Sequence, residues 1–203
     1  MELFLIRHGR TEWNVAGRVM GDQPIPLTPE GEAQIDACAR FLEGVAFDAV
    51  YASPTRRTRE SADILVRERG LTYTTDPALV EIHYGQWVGC LYSELCQRPE
   101  FLAYAENPLE AGPPGGETIA QTCERIVGLV TTLYRQHAGQ RVMLVSHADV
   151  IKCLLCHYLG MPLARYQQLR IDNGSISIVR VGEKSRVMGI NVVPDGARYA
   201  SMS

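Results

Sequence analysis

Three apolar runs in this chain end in groups that do not belong in a protein interior. Residues 3–6 lead into Arg7-His8-Gly9, residues 47–52 run through Ser53-Pro54 into Arg56-Arg57, and residues 142–145 lead into Ser146-His147. A guanidinium is costly to bury without a partner, so each arginine must meet an anion or water. Phosphate suits it best, because the planar fork binds two phosphate oxygens at once. An imidazole offers a nucleophilic nitrogen that works at neutral pH without a metal or a second base. Taken singly these features are ordinary: a lone histidine at a strand end is more often structural, and Arg56-Arg57 reads as a solvated helix face. Their recurrence after three buried runs is what carries weight.

That recurrence matters only if the fold brings the three ends together. Thr28-Pro29-Glu30 reads as a helix start, with a capping hydroxyl, proline at the first helical position and an acid in the first turn. Ile35, Cys38, Ala39 and Leu42 then recur at helical spacing until Gly44 closes the helix. A strand over 47–52 is followed by a helix with Ser53-Pro54 as its cap and first turn, and another strand falls near Tyr73. Residues 82–116 are irregular, with short helical pieces. Ile119, Cys123, Ile126, Val127, Val130, Leu133 and Tyr134 make one face of a long helix. A strand over 142–145, a helix over 150–159 and strands over 176–181 and 187–193 complete the pattern. The alternation predicts a three-layer α/β/α sandwich around a mostly parallel sheet. Sites in such sheets lie beyond the carboxyl ends of the strands, so the three ends share a rim.

The chain reads as one domain over 1–203, with no repeat or linker. A formal charge of −3 leaves no basic footprint for nucleic acid or an anionic membrane. No apolar stretch reaches the length of a span, and Met1-Glu2 leads into a strand rather than a signal peptide. The six cysteines, scattered through apolar segments, read as reduced core thiols of a cytoplasmic protein.

Arg7-His8-Gly9, with Thr11 and Asn14 following, resembles the signature of the histidine phosphatase superfamily, which includes the cofactor-dependent phosphoglycerate mutases. Four further stretches are similar in order: Gly17-Arg18 to Pro26-Leu27-Thr28 and Gly31; Ser53-Pro54-Thr55-Arg56-Arg57; Leu79-Val80-Glu81 with Gly85-Gln86-Trp87; and Val145-Ser146-His147. The family's phosphate-binding arginine falls on Arg57 rather than Arg56. The resemblance implies a phosphoglycerate mutase-like fold and a catalytic set of His8, Glu81, Arg7, Arg57 and His147. His8 would be the nucleophile and form a phosphohistidine. Arg7, Arg57 and His147 would neutralise the phosphoryl oxygens, and Glu81 would be general acid and then base. Thr11, Asn14 and Ala148 join Arg7, Arg57 and His147 as expected substrate contacts. No metal or cofactor is implied, and pairing habits in the family make a homodimer one expectation.

The superfamily contains both hydrolases and mutases, and the segment over 82–116 reads as a lid that decides between them. From residue 82 to 124 the chain has one basic residue, Arg98, against six acids, a balance that would repel a doubly phosphorylated intermediate. Hydrolysis of a small phosphomonoester is therefore expected over mutase action, and a phospho-ligand-binding module is the rival from another class. The chain departs from the family's phosphoserine phosphatases at Tyr84, where a histidine is usual, and at Ala148-Asp149, which replaces a common glycine pair. Cys153-Leu154-Leu155-Cys156-His157 matches a haem-attachment spacing, but its cysteines share one face of an apolar helix and read as small core hydrophobes.

Overall fold

The computed structural model describes residues 1–194; residues 195–203 of the expected unit lie outside them. In β1 (Glu2–Arg7) successive side chains go to opposite faces, and both faces are buried. Leu3 and Leu5 enter one core cluster while Phe4 and Ile6 enter another. The single turn α1 (Glu12–Val15) is closed by reciprocal caps between Thr11 and Asn14. Helix α2 (Pro29–Phe41) starts as its sequence predicts, with Thr28 Oγ1 accepting from Gly31 N at 3.1 Å.

Strand β2 (Ala49–Ala52) begins two residues later than expected, because Phe47 turns its ring edge-on to Phe4 instead of joining the ladder. Helix α3 (Arg56–Val66) also starts later, capped at Thr55. Ser53 is not its cap: that hydroxyl faces His147 instead. The short β3 (Thr74–Thr75) follows. Between it and the next long element lie the turns Pro77–Leu79 and Gly85–Trp87, then α4 (Tyr92–Leu95) and α5 (Pro99–Glu106).

Helix α6 (Ile119–Gln136) buries Ile119, Ile126, Val130 and Leu133, each worth about 1.5–3 kcal/mol of apolar burial. Strand β4 (Arg141–Ser146) is followed at once by α7 (Ala148–Leu159), two residues earlier than the expected start. The strands β5 (Ile176–Arg180) and β6 (Arg186–Val192) complete a six-stranded sheet in the order β3-β2-β4-β1-β5-β6. β1, β2, β3 and β4 are parallel, β5 runs against β1, and β6 turns back again. The sheet is mixed but mostly parallel.

Residues of α6 and α7 fill one cluster and residues of α2 and α3 the other, which gives the expected three layers. Trp87, Leu95, Phe101 and Tyr104 form a small third cluster. Cys38, Cys153 and Cys156 are core thiols, whereas Cys96 is exposed and Cys90 and Cys123 lie half-buried. No helix among the described residues is long and apolar enough to cross a membrane.

Candidate active site

The ladder register sets the site. Arg7 lies opposite Ser146 and Ala52 opposite Val145, so the chains leaving β1, β2 and β4 emerge at one rim. His8 N donates to Ser146 O at 3.0 Å, and Ser53 N to Val145 O at 3.0 Å, carrying the ladder one residue further at both places. Behind this rim two glycines meet back to back: a Cβ on Gly9 would lie 2.2 Å from Gly31 O, and one on Gly31 would lie 2.1 Å from Arg10 O. Only glycine at both positions lets the loop after β1 rest on the first turn of α2.

His8 is 3% exposed, and its Nδ1 lies 2.7 Å from the carbonyl of Gly9. A carbonyl only accepts, so the ring proton sits on Nδ1 and the lone pair on Nε2. Burial, then the charges of Arg57 and Arg7, hold the ring's pKa well below the ordinary imidazole value, so it is neutral at pH 7. Asn173 fixes the backbone around it, its Nδ2 donating to His8 O at 3.1 Å and Gly9 O at 3.4 Å.

Two guanidiniums flank this ring. Arg57 is 1% exposed and donates to Gly21 O at 2.7 Å and Gln23 O at 3.3 Å. Arg7 donates to Ile171 O at 2.7 Å. Neither has a carboxylate bound to it among the described residues, and the Nε of each is buried without a partner. Burial lowers Arg57 to about 10 and Arg7 in the same direction, and both remain charged at neutral pH. A buried and a half-buried cation with unused donors make an anion site. Arg56 points away, its side chain half-exposed and paired with Glu60 at 2.7 Å.

His147 and Thr11 are placed differently from expectation. Both are wholly buried and stand behind the cavity wall rather than on it. His147 Nδ1 accepts from Arg57 Nη2 at 3.1 Å while its Nε2 donates to Ser53 Oγ at 2.9 Å. Thr11 serves as the cap that holds Asn14. Asn14 Oδ1 takes donors from Thr11 N, Thr11 Oγ1 and Asn173 Nδ2, which leaves the Asn14 amide nitrogen for the cavity it lines. Ala148, the first residue of α7, also lines it.

Glu81 lies on the same wall. Its Oε1 accepts from the neighbouring Ile82 N at 3.1 Å, and no cation among the described residues is bound to the carboxylate. Burial and the negative charge of Asp149 outweigh Arg57 and Arg7, raising Glu81 to about 7. Its backbone is braced from α6 by Arg125, whose charge is taken by Glu117 at 2.9 Å.

These groups share a cavity of about 470 Å³ whose outer part is aromatic. Residues 82–116 supply Tyr84, Trp87, Tyr92, Phe101 and Tyr104 to it and no charged side chain. Trp13, Arg18, Asp149, Lys152 and Tyr166 complete that half. Of these, Tyr84, Asp149 and Lys152 form one hydrogen-bonded set: Tyr84 Oη donates to Asp149 Oδ2 at 2.6 Å, and Lys152 Nζ to Asp149 Oδ1 at 3.0 Å. Sequence reasoning gave this set no role, although two of its members are the positions at which the chain departs from the family pattern.

Comparison with known proteins agrees with this geometry. The sequence model described as Histidine phosphatase superfamily (branch 1) matches residues 3–191. Phosphoserine phosphatase 1 of Hydrogenobacter thermophilus is 30% identical over 190 residues, 93% of this chain and 90% of that one. The protein named "Probable phosphoglycerate mutase GpmB" of Serratia proteamaculans is 30% identical over 181 residues, 88% of this chain and 84% of its own. The crystal structure of the alpha-ribazole phosphatase from Shigella flexneri superposes with a TM-score of 0.85 at 29% identity, covering 94% of this chain and 96% of that one. With a matching fold and an imidazole between two guanidiniums at the rim of its sheet, the chain belongs to the histidine phosphatase superfamily.

Proposed function

We propose that this chain is a metal-independent phosphomonoesterase that works through a phosphohistidine at His8 on a small phosphorylated metabolite. One observation carries the reading: His8, with the lone pair on Nε2, lines one cavity with the guanidiniums of Arg7 and Arg57 and with Glu81, whose pKa is raised to about 7.

In the first half-reaction His8 Nε2 forms a bond to phosphorus as the ester P–O bond breaks, and the departing oxygen takes the proton of Glu81. In the second, Glu81 takes a proton from water, the water oxygen attacks phosphorus, and the P–N bond breaks to return neutral His8 and inorganic phosphate. Arg7 and Arg57, joined by the Asn14 amide and the first N–H groups of α7, hold the phosphoryl oxygens. His147 acts through Arg57. The nucleophile and the charges come from side chains, so the cycle closes without a metal.

Residues 82–116 act as a cover over the leaving group within a single unit spanning the chain. Their contribution to the cavity is aromatic, which offers nothing to a second phosphate and favours hydrolysis over mutase action. The same apolar wall favours a ring-bearing alcohol over the zwitterion of phosphoserine. Thiols buried in the core suit a cytoplasmic setting; the homodimer rests on family habit, and sedimentation reads it.

The test is phosphate release with EDTA from p-nitrophenyl phosphate and a panel including phosphoserine, 3-phosphoglycerate and α-ribazole phosphate. Turnover that survives chelation, with acid-labile phosphate trapped on wild-type protein and absent from His8→Ala, is expected. Loss of activity on chelation, or equal trapping in His8→Ala, overturns the mechanism. Binding of vanadate without turnover of any ester would point to the binding module.

A further inference from the structure

Two carboxylates line the cavity, and their surroundings differ. Asp149 receives two strong donors, the Tyr84 hydroxyl on one oxygen and the Lys152 ammonium on the other. It also sits in the first turn of α7, where a negative charge is favoured by the helix N-terminus. Glu81 receives one backbone N–H. Tyr84, three residues beyond Glu81 on the same loop, ties that loop to Asp149 and holds the two acids on one wall. When like charges share a wall, the proton goes to the carboxylate with fewer donors.

We propose that Asp149, fixed by Tyr84 and Lys152, is a positioning residue that keeps the proton on Glu81, so that the site cleaves esters of poorly leaving alcohols at neutral pH. The inference rests on the reading of Glu81 as general acid. The Asp149 carboxylate is assigned no contact with the phosphoryl group or the nucleophile; it acts through its fixed charge. Two places where the chain departs from the family pattern, Tyr84 and Asp149, are thereby one device, since the Tyr84 hydroxyl spends its proton on Asp149.

The charges facing Glu81 come from every side. Arg7 at the end of β1 and Arg57 on α3 favour its ionised form, and Asp149 on α7 opposes them. Lys152 on α7 offsets part of the Asp149 charge. Arg125 on α6 spends its charge on Glu117 and meets Glu81 only at the backbone carbonyl. Tyr84 stays neutral, burial and Asp149 both raising its pKa, while His8 and His147 are neutral at the working pH. Asp149 is thus the negative charge that works against two cations.

The experiment compares pH profiles of kcat/KM for an alkyl phosphate, which needs the proton of Glu81, in wild type, Asp149→Asn, Lys152→Met and Glu81→Gln. The basic limb should move to lower pH by about one unit in Asp149→Asn and to higher pH in Lys152→Met. A carbon-13 titration of the Glu81 carboxyl in phosphate-free protein, assigned by its loss in Glu81→Gln, should move in the same two directions. If Glu81→Gln keeps the basic limb, the general-acid reading itself fails. If that limb vanishes in Glu81→Gln but neither substitution moves the carbon-13 midpoint, the role of Asp149 fails alone. Should Asp149→Asn not fold, the upward shift in Lys152→Met decides, and an unmoved midpoint there overturns the proposal.

Discussion

Arg57 Nη2 lies 3.1 Å from His147 Nδ1, and this contact fixes the tautomer of the second histidine at the rim. A guanidinium only donates, so Nδ1 of His147 holds a lone pair and its proton sits on Nε2, facing Ser53 Oγ at 2.9 Å. His8 has the opposite arrangement, proton on Nδ1 and lone pair on Nε2. The two rings, 5.3 Å apart between centroids, divide the work: one reacts and the other steadies the cation beside it.

Both rings should therefore stay neutral through the physiological range. Burial is the largest cause at each, reinforced at each by Arg57, and the pKa of each is held well below the ordinary 6.5. Long-range nitrogen-15 NMR of the free enzyme should show the two opposite tautomers, unchanged from pH 8 to about 5.5. A titration midpoint near 6.5 for either ring would contradict the buried arrangement.

Neighbouring arginines should behave unlike one another. Arg57→Ala removes a buried cation from the phosphoryl site and should lower kcat/KM by roughly 100- to 1000-fold. Arg56→Ala removes an exposed pair with Glu60 and should stay within about twofold. Steady-state kinetics on p-nitrophenyl phosphate separates them, and equal losses would move the second cation elsewhere.

Glu81 is held in its acid form at a cost in stability. Its folded pKa of about 7 exceeds the ordinary 4.5, so the folded state binds the proton more tightly than the unfolded chain. The associated stability is full below about pH 4.5 and is lost as pH rises through 7. Glu81→Gln should thus stabilise the protein at pH 8 by on the order of 2 kcal/mol relative to its effect at pH 5. Urea unfolding at the two pH values measures this, and a pH-independent difference would refute it. The same variant should lose more rate on alkyl than on aryl phosphates.

Asn173 joins the loop before β5 to both ends of the reactive loop, through the His8 and Gly9 carbonyls and Asn14 Oδ1. Asn173→Ala should free the Asn14 amide to turn, raising KM and lowering kcat together by about tenfold or more. A change in thermal stability without a kinetic one would make the contact structural only.

The strand ends were legible because each is local: an apolar run followed by a charged or imidazole group marks its own boundary. Arg57 was separable from Arg56 only through the family pattern, since the two differ in helical phase by a single residue. Ser53 was expected as a helix cap because a hydroxyl before proline reads that way locally, and only the fold shows that His147 reaches it; the short turn that Thr11 caps with Asn14 left no periodic signal. The Tyr84–Asp149 bond joins residues 65 apart, and no periodicity in the chain announces it. The count of charges over residues 82–124 anticipated the lack of cations that residues 82–116 bring to the cavity.

Trp87, Phe101 and Tyr104 form a small cluster with Leu95, joined to the α6–α7 face of the sheet through Tyr84, which packs against both, and through the Tyr104–Tyr166 hydroxyl contact. The phosphate end, by contrast, is built into strand termini whose register fixes it. Mutations that reshape the outer compartment while sparing Tyr84 can therefore accumulate with little disturbance of the reactive end, and a library confined to residues 87–104 should yield altered substrate range at a far higher frequency than one spread over the chain. The molecule is arranged so that selectivity can evolve while reactivity is inherited intact.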